Sequence, residues 1–195
     1  MRAIVAFDLD GVLYDLLGGL FDTIYSKCGV RLDPDRVRQY SLGGLSDVDD
    51  VNRQIVDTIR DARTYFRLKP MPGAVDAVRK LVARGAATRI VITGRPLCAR
   101  GATLVALKRD FGDAFEQVVV TPTKKKAVTA ARLRVKHMVE DHGPTAEDMA
   151  KRRVNVWLVD HPYNGGGMGR RVTRVRDVGE AVDGILSRLN FGVEV

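Results

Sequence analysis

Cysteine is scarce in this sequence, which has only Cys28 and Cys98 in 195 residues. The two lie in different segments, form no C-x-x-C pair and have no histidine partner at a metal-ligating spacing. This distribution argues against a zinc site and against a disulfide framework. We therefore expect both thiols to lie in the core or to be half-buried.

Long hydrophobic runs are also missing, since no apolar stretch approaches the roughly 20 residues that a membrane-spanning helix needs. The short apolar stretch at the N-terminus is interrupted by Asp8 and Asp10, so it lacks the pattern of a signal peptide. We expect a soluble, cytoplasmic protein with no membrane partner. Its length suits one core with a small insertion.

Aromatic residues make up only 6% of the chain, and acidic residues are too few to balance the basic ones, which leaves a net charge of +8. This excess fits a phosphorylated or polyanionic partner, but it also fits a solubilising surface. Basic residues concentrate locally at 124–126, 151–153 and 169–171. None of these stretches is interleaved with aromatic residues, as a groove for single-stranded nucleic acid would be.

The sequence does contain a series of short apolar runs that are typical of buried strands. They are AIVAF (3–7), RIVIT (89–93), QVVVT (117–121), HMVED (137–141), VNVWLVD (154–160) and RVTRV (171–175). Continuous apolar strands indicate a parallel sheet that is covered on both faces. Helical patterns over 72–85, 97–112 and 176–189 alternate with them. We therefore predict an α/β fold with a doubly wound, mainly parallel sheet.

Residues 16–70 break this alternation, because they are helix-like and rich in charge and contain no convincing buried strand. We expect them to form a small helical cap that is inserted after the first strand. The predicted α/β core then comprises residues 1–15 and 71–195.

Polar residues follow four of the predicted strands at the points where these strands end. They are Asp8 with Asp10, Thr93 with Gly94, Thr121 with the lysines after it, and Glu140 with Asp141. Ligands of open parallel sheets bind beyond the carboxyl ends of the strands, so these groups should meet in one crevice. Carboxylates suit a hard divalent cation, while a hydroxyl, a backbone N–H and a lysine suit phosphate oxygens. The combination predicts phosphoryl chemistry.

The segment DLDGVLYD matches the motif D-x-D-G-[TV]-L of the haloacid dehalogenase (HAD) superfamily of phosphotransferases, and the three other motifs follow in order. The chain therefore resembles this superfamily. The resemblance implies that Asp8 is the nucleophile and forms an aspartyl-phosphate, and that Asp10 protonates the leaving oxygen and later helps to activate water. Alternate residues of an extended strand point the same way, so both carboxylates can face one substrate.

The same resemblance implies Mg²⁺ as the cofactor. The ion would be held by Asp8, by the main-chain carbonyl of Asp10 and by Asp141, with Glu140 as a further candidate ligand.

Phosphate oxygens would be held by the Thr93 hydroxyl and the Gly94 N–H, and a lysine after the third strand would neutralise charge in the transition state. Two lysines remain candidates for this role. Lys124 aligns without gaps to the nucleotidase pattern described next, whereas Lys126 lies in the segment KAV that opens a helix.

A narrower resemblance extends over most of the chain. The segments DGVLYD, YFRLKPMPGAVDAVRKL, DFGDAFEQVVVT and VWLVDHPYN are similar to successive blocks of the 5'(3')-deoxyribonucleotidases of the cytosolic type C group. This resemblance implies a hydrolase of nucleoside (deoxy)monophosphates with a small nucleotide as its substrate. Tyr65 and Phe66 would then help to enclose the base, or would simply pack the cap onto the core.

The chain departs from that family at three places. Gly94 stands where a serine is usual, Glu140 replaces the first aspartate of the fourth motif, and His142 replaces a common basic residue. Arg95, which follows Gly94, and His142 are further candidates for substrate contacts.

The segment TGRP, together with Arg100 and Thr103, also resembles the phosphatase half of polynucleotide kinase-phosphatases. With the net charge of +8, this similarity keeps a 3'-phosphatase of nucleic-acid ends as an alternative. A non-catalytic nucleic-acid-binding protein is a more remote alternative. The sequence predicts no oligomeric state.

Overall fold

The computed structural model describes residues 2–34, 37–40, 45–46, 48–85, 87–166 and 169–190. Within these residues lies a six-stranded sheet whose spatial order is β3-β2-β1-β4-β5-β6. The strands are β1 (Ala3–Phe7), β2 (Ala87–Thr93), β3 (Gln117–Val120), β4 (Val135–Glu140), β5 (Asn155–Val159) and β6 (Val172–Val175). Every neighbouring pair is parallel, so the predicted parallel sheet is confirmed.

Helices connect the strands and cover the sheet. They are α1 (Leu16–Cys28), α2 (Asp49–Arg60), α3 (Ala62–Arg67), α4 (Ala74–Arg84), α5 (Arg100–Phe111), α6 (Lys126–Arg132), α7 (Gly143–Lys151) and α8 (Val178–Asn190). Short 3₁₀ turns at Leu97–Ala99 and Thr123–Lys125 precede α5 and α6.

Side chains of the central strand point alternately to the two faces of the sheet. Val5 and Phe7 enter an apolar cluster with residues of α4, α5 and α8, whereas Ala6 enters a second cluster with residues of α6 and α7. Because both faces are covered by helices, most residues of the central strands are apolar, and charged residues such as Arg89 and Lys136 lie in the first half of their strands. This arrangement confirms the doubly wound α/β prediction.

The predicted element bounds differ from the observed ones by a few residues. The fourth strand begins at Val135, two residues earlier than predicted. Lys136 is exposed while Val135 and His137 on either side of it are buried, so its charge interrupts the apolar run from which the start of the strand was predicted. This strand ends at Glu140, so Asp141 lies just beyond its end.

The described part of 16–70 contains α1, α2 and α3 and none of the six strands. The first two of these helices share a small apolar cluster, to which Leu20 and Ile24 of α1 and Val51 and Ile55 of α2 belong, whereas Tyr65 of α3 belongs to the cluster that contains Phe7. The division into a cap of 16–70 and a core of 1–15 and 71–195 stays a prediction.

Both cysteines are free and exposed, so the expectation of core or half-buried thiols is wrong. Cys28 is the last residue of α1, and Cys98 lies in the 3₁₀ turn before α5. The ends of elements lie near the surface, and the apolar character of a thiol does not override that position.

None of the described helices has both the length and the apolar character required to cross a membrane. The cytoplasmic location stays a prediction.

Candidate active site

The candidate site lies between β1 and β4, where the order of the strands along the sheet reverses. β1 pairs with β2 on one side and with β4 on the other, so the connections leave in opposite directions and open a crevice at the carboxyl ends. Asp8 follows β1, and its N–H donates to the carbonyl of Val139 at 2.9 Å. Asp141 follows β4 directly. Adjacent parallel strands thus bring together two acids that are 133 positions apart in the chain.

Three carboxylates meet in this crevice, those of Asp8, Glu140 and Asp141. All three residues are at most 3% exposed. One oxygen of each lies within 4.8 Å of the others. Burial raises the pKa of each group, and repulsion from a neighbouring carboxylate adds to the rise. Such a cluster is costly unless cations compensate it.

Lys126 supplies one compensating charge. It opens α6, and its ammonium Nζ lies 2.6 Å from Asp8 Oδ2 and 2.7 Å from Glu140 Oε2. Burial lowers the pKa of Lys126, but the two carboxylates outweigh this effect and raise it, so the group stays charged. Lys124, the other candidate, is exposed. The structure thus brings Lys126, and not Lys124, into the cluster.

Three buried carboxylate oxygens of the cluster, Asp8 Oδ1, Glu140 Oε2 and Asp141 Oδ1, have no hydrogen-bond partner among the described residues, although Glu140 Oε2 forms the ion pair with Lys126. Buried polar atoms are rarely left without a partner, and where they are, an ion is one explanation. Mg²⁺ prefers carboxylate oxygens as ligands. The donor set therefore fits this cation.

Thr93 and Gly94 lie at the end of the neighbouring strand β2. Thr93 is buried, and its hydroxyl oxygen accepts a hydrogen bond from the Arg95 N–H at 3.2 Å. A Cβ at Gly94 would lie 2.6 Å from Thr123 Oγ1. The serine that is usual at this position in the family would therefore require the Thr123 side chain to move.

Asp10 and Arg95 form a bidentate ion pair beside the carboxylate cluster. Arg95 Nη2 lies 2.6 Å from Asp10 Oδ1, and Nε lies 3.1 and 3.0 Å from the two carboxylate oxygens. The remaining nitrogen, Nη1, donates to Thr103 Oγ1 at 3.2 Å. The Arg95 guanidinium is thus committed to protein partners, although we expected Arg95 to contact the substrate.

A cavity of about 380 Å³ opens beside these groups. Asp10 and Asp141 lie in its wall together with apolar residues such as Leu17, Val37 and Met71. A bound molecule could therefore place a polar end against the carboxylates and an apolar part against the opposite wall.

The sequence model of the family described as "5' nucleotidase, deoxy (Pyrimidine), cytosolic type C protein" matches residues 2–188. The chain belongs to this nucleotidase family. It is a HAD-type phosphatase and is 5'-nucleotidase-like, as the motifs predicted. A comparison with curated proteins gives no match.

Solved structures share the fold. L-2-haloacid dehalogenase from Xanthobacter autotrophicus, with chloropropionic acid covalently bound, is similar with a TM-score of 0.66 and 16% identity over 100% of both chains. A HAD family hydrolase from Deinococcus radiodurans, with bound phosphate and sodium, is similar with a TM-score of 0.62 and 18% identity, covering 97% of this chain and 96% of that one.

In this nucleotidase-family chain, Tyr65 and Phe66 lie away from the cavity wall. Tyr65 is buried; its hydroxyl donates to the carbonyl of Ile59 at 2.8 Å, and its ring lies 4.7 Å from Arg95 Cζ. Phe66 is half-exposed and stacks with Arg109. These positions favour the packing of α3 onto the rest of the chain over the enclosure of a base.

His142 lies at the mouth of the same crevice, directly after Asp141. Its Nδ1 is 2.7 Å from Thr145 Oγ1, and its ring centroid is 4.0 Å from that of Tyr40. Burial lowers the pKa of His142, and the charge of Lys126 adds to the effect. Tyr40 comes from the region 16–70 and also lines the cavity.

Sequence reasoning missed the loop of residues 161–164 (HPYN), which follows β5. Tyr163 donates from its hydroxyl to Asp141 Oδ2 at 2.7 Å, and the Asn164 amide donates to the Asp141 carbonyl at 2.7 Å. The His161 ring lies 2.7 Å from the carbonyl oxygen of Gly11. The signal was present, because these polar residues follow the end of a fifth parallel strand.

Proposed function

We propose that this nucleotidase-family protein hydrolyses nucleoside (deoxy)monophosphates to nucleosides and inorganic phosphate, with Mg²⁺ as cofactor and an aspartyl-phosphate on Asp8 as intermediate. One observation carries the proposal: a buried nucleophile candidate, Asp8, shares its site with Lys126 and Asp141, and Oδ1 of each aspartate has no hydrogen-bond partner among the described residues. Acidic groups this close are unfavourable for stability alone, and phosphoryl transfer explains their presence.

Asp8 is suited to be the nucleophile. Lys126 contacts Oδ2 and fixes the carboxylate, while no described residue forms a hydrogen bond with Oδ1. In the first step an Asp8 oxygen forms a bond to phosphorus as the bond from phosphorus to the nucleoside oxygen breaks. Asp10 gives a proton to that leaving oxygen. Asp10 then accepts a proton from the water that attacks the acyl phosphate, which releases phosphate and restores both the Asp8 carboxylate and the protonated Asp10.

Asp8, Asp141 and the main-chain carbonyl of Asp10 would hold Mg²⁺. When bound, this ion supplies positive charge that reduces the repulsion between the anionic nucleophile and the anionic phosphate. Glu140 has a different arrangement, because Oε1 accepts from the His142 N–H and Oε2 contacts Lys126. We therefore assign Glu140 to holding the lysine rather than the metal. Thr93 and the Gly94 N–H would hold phosphate oxygens.

The cavity supports a small, uncharged leaving group. Its described lining is mainly apolar and includes the acids Asp10, Asp15 and Asp141, but no described lining residue is arginine or lysine. A nucleoside fits such a wall, whereas further phosphodiesters of a nucleic-acid strand would meet negative charge without a compensating cation. This favours a mononucleotide over a nucleic-acid end. We also propose a cytoplasmic location, in line with the description of the family.

The test is phosphate release from a panel of substrates with Mg²⁺ and after chelation. The panel comprises 5'- and 3'-(deoxy)nucleoside monophosphates, a 3'-phosphorylated oligonucleotide and a sugar phosphate. We expect Mg²⁺-dependent turnover of the mononucleotides and its loss in Asp8→Asn. The control is Asp113→Asn, which makes the same change at an exposed aspartate. Turnover surviving in Asp8→Asn would contradict the aspartyl-phosphate, and a preference for the oligonucleotide would support the nucleic-acid 3'-phosphatase instead.

A further inference from the structure

Arg95 is an arginine whose side chain is entirely inaccessible to solvent. Three contacts join its Nε and Nη2 to the two oxygens of Asp10, and the fourth contact, from Nη1, goes to Thr103 on α5. A planar guanidinium that engages a carboxylate in this way fixes both the position and the rotation of the carboxylate.

Two aromatic rings hold the guanidinium from other directions. Arg95 Cζ lies 5.1 Å from the ring centroid of Tyr14 and 4.7 Å from that of Tyr65, distances typical of cation–π contacts. Both rings are themselves anchored, because Tyr14 donates to Asp110 at 3.0 Å and Tyr65 donates to the carbonyl of Ile59 at 2.8 Å. The guanidinium therefore has little freedom to move.

Asp10 differs from Arg95 in its access to the cavity. Its side chain is 21% exposed and lies in the cavity wall, whereas the Arg95 side chain is 0% exposed. An arginine in this position cannot reach a substrate without breaking its contacts with Asp10. It can act on the reaction through Asp10, whose open side faces the space that a leaving group would occupy.

We infer that Arg95 is a positioning residue that holds the Asp10 carboxylate toward the leaving oxygen. This inference rests on the proposed function, because it presupposes that Asp10 delivers the proton. A proton donor that is free to rotate spends less time within hydrogen-bond reach of the leaving oxygen, so the step that needs the proton slows. Substrate binding does not depend on this orientation.

The test compares Arg95→Met with the unmodified enzyme on two phosphate monoesters. A nucleoside 5'-monophosphate has a poor leaving group that needs a proton, whereas p-nitrophenyl phosphate has a leaving group that departs without one. In single turnovers, which measure formation of the aspartyl-phosphate alone, we expect the rate for the nucleotide to fall by about 10²-fold, while the rate for p-nitrophenyl phosphate and the substrate-concentration dependence of both rates change little. The rate of Arg95→Lys for the nucleotide should lie between those of Arg95→Met and the unmodified enzyme, since an ammonium cannot reproduce the bidentate contact. Arg84→Met, at an exposed arginine at the end of α4, is the control and should leave both rates unchanged.

Asp10→Asn separates the inference from the function on which it rests. If Asp10→Asn slows the single-turnover formation of the aspartyl-phosphate equally for both substrates, Asp10 is not the acid and the proposed mechanism fails. If Asp10→Asn slows the nucleotide selectively but Arg95→Met does not, the positioning role of Arg95 is refuted. The double variant should be no slower on the nucleotide than Asp10→Asn alone, and an additive loss would also refute it. Should Arg95→Met fail to fold in urea-unfolding measurements, Arg95→Lys carries the same comparison.

Discussion

Replacing Lys126 by methionine gives the sharpest test of how the carboxylate cluster is held together. Methionine keeps much of the apolar length of the lysine side chain but removes the charge. Asp8 and Glu140 then remain buried without the ammonium that now lies 2.6 and 2.7 Å from them. We expect the protein to lose stability and phosphatase activity together.

The size of the loss follows from the geometry. At an effective dielectric constant of about 20, each contact at such a distance contributes roughly 6 kcal/mol of Coulomb attraction. Most of this attraction offsets the cost of removing three charged groups from water, because all three side chains are at most 5% exposed. Deleting one partner of a buried ion pair costs about 3–5 kcal/mol, and we expect a loss in the free energy of unfolding within that range.

Urea unfolding without divalent metal measures this loss, and phosphate release measures the activity. Lys124→Met is the matched control, since it makes the same change at an exposed lysine two residues away, and it should change the free energy of unfolding by less than about 0.5 kcal/mol. Adding Glu140→Gln to Lys126→Met should recover part of the stability, because one uncompensated charge is removed. Equal effects of the two lysine variants, or no recovery in the double variant, would refute the reasoning.

Two further predictions concern a glycine and a buried histidine. Gly11 and Gly73 share a φ near +74°, at +75° and +73°, but only at Gly11 would a Cβ lie 2.4 Å from Asp141 Oδ2. Gly11→Ala should therefore cost about 1–3 kcal/mol more in urea unfolding than Gly73→Ala, and equal costs would contradict this. Burial lowers the pKa of His137 to about 4, against about 6.5 when unfolded. As the pH falls, His137 is protonated in the unfolded state before it is protonated in the folded state. The free energy of unfolding should therefore fall by about 3 kcal/mol from pH 7 to about pH 4. A His137→Gln variant with an equally steep fall would argue against this assignment.

Several parts of the site could be predicted from the chain because they depend on strand ends. An apolar run that stops at a polar residue places that residue at the carboxyl end of a buried strand, and parallel strands share that edge. Asp8, Thr93, Glu140 and Asp141 were all located in this way. The same rule applies to β5, which is followed by His161, Tyr163 and Asn164, but the sequence analysis did not assign these three residues to the site.

The amino-acid sequence alone determined the parallel sheet and the acids at its edge, because continuous apolar strands are stable only when helices cover both faces. Only the tertiary structure decided which of two nearby lysines enters the cluster, since the direction of a side chain at the start of a helix changes by about 100° per residue. It also decided that Arg95 pairs with Asp10, a contact across 85 positions of sequence. Contacts of this kind depend on how separate elements pack, and spacing along the chain carries no information about them.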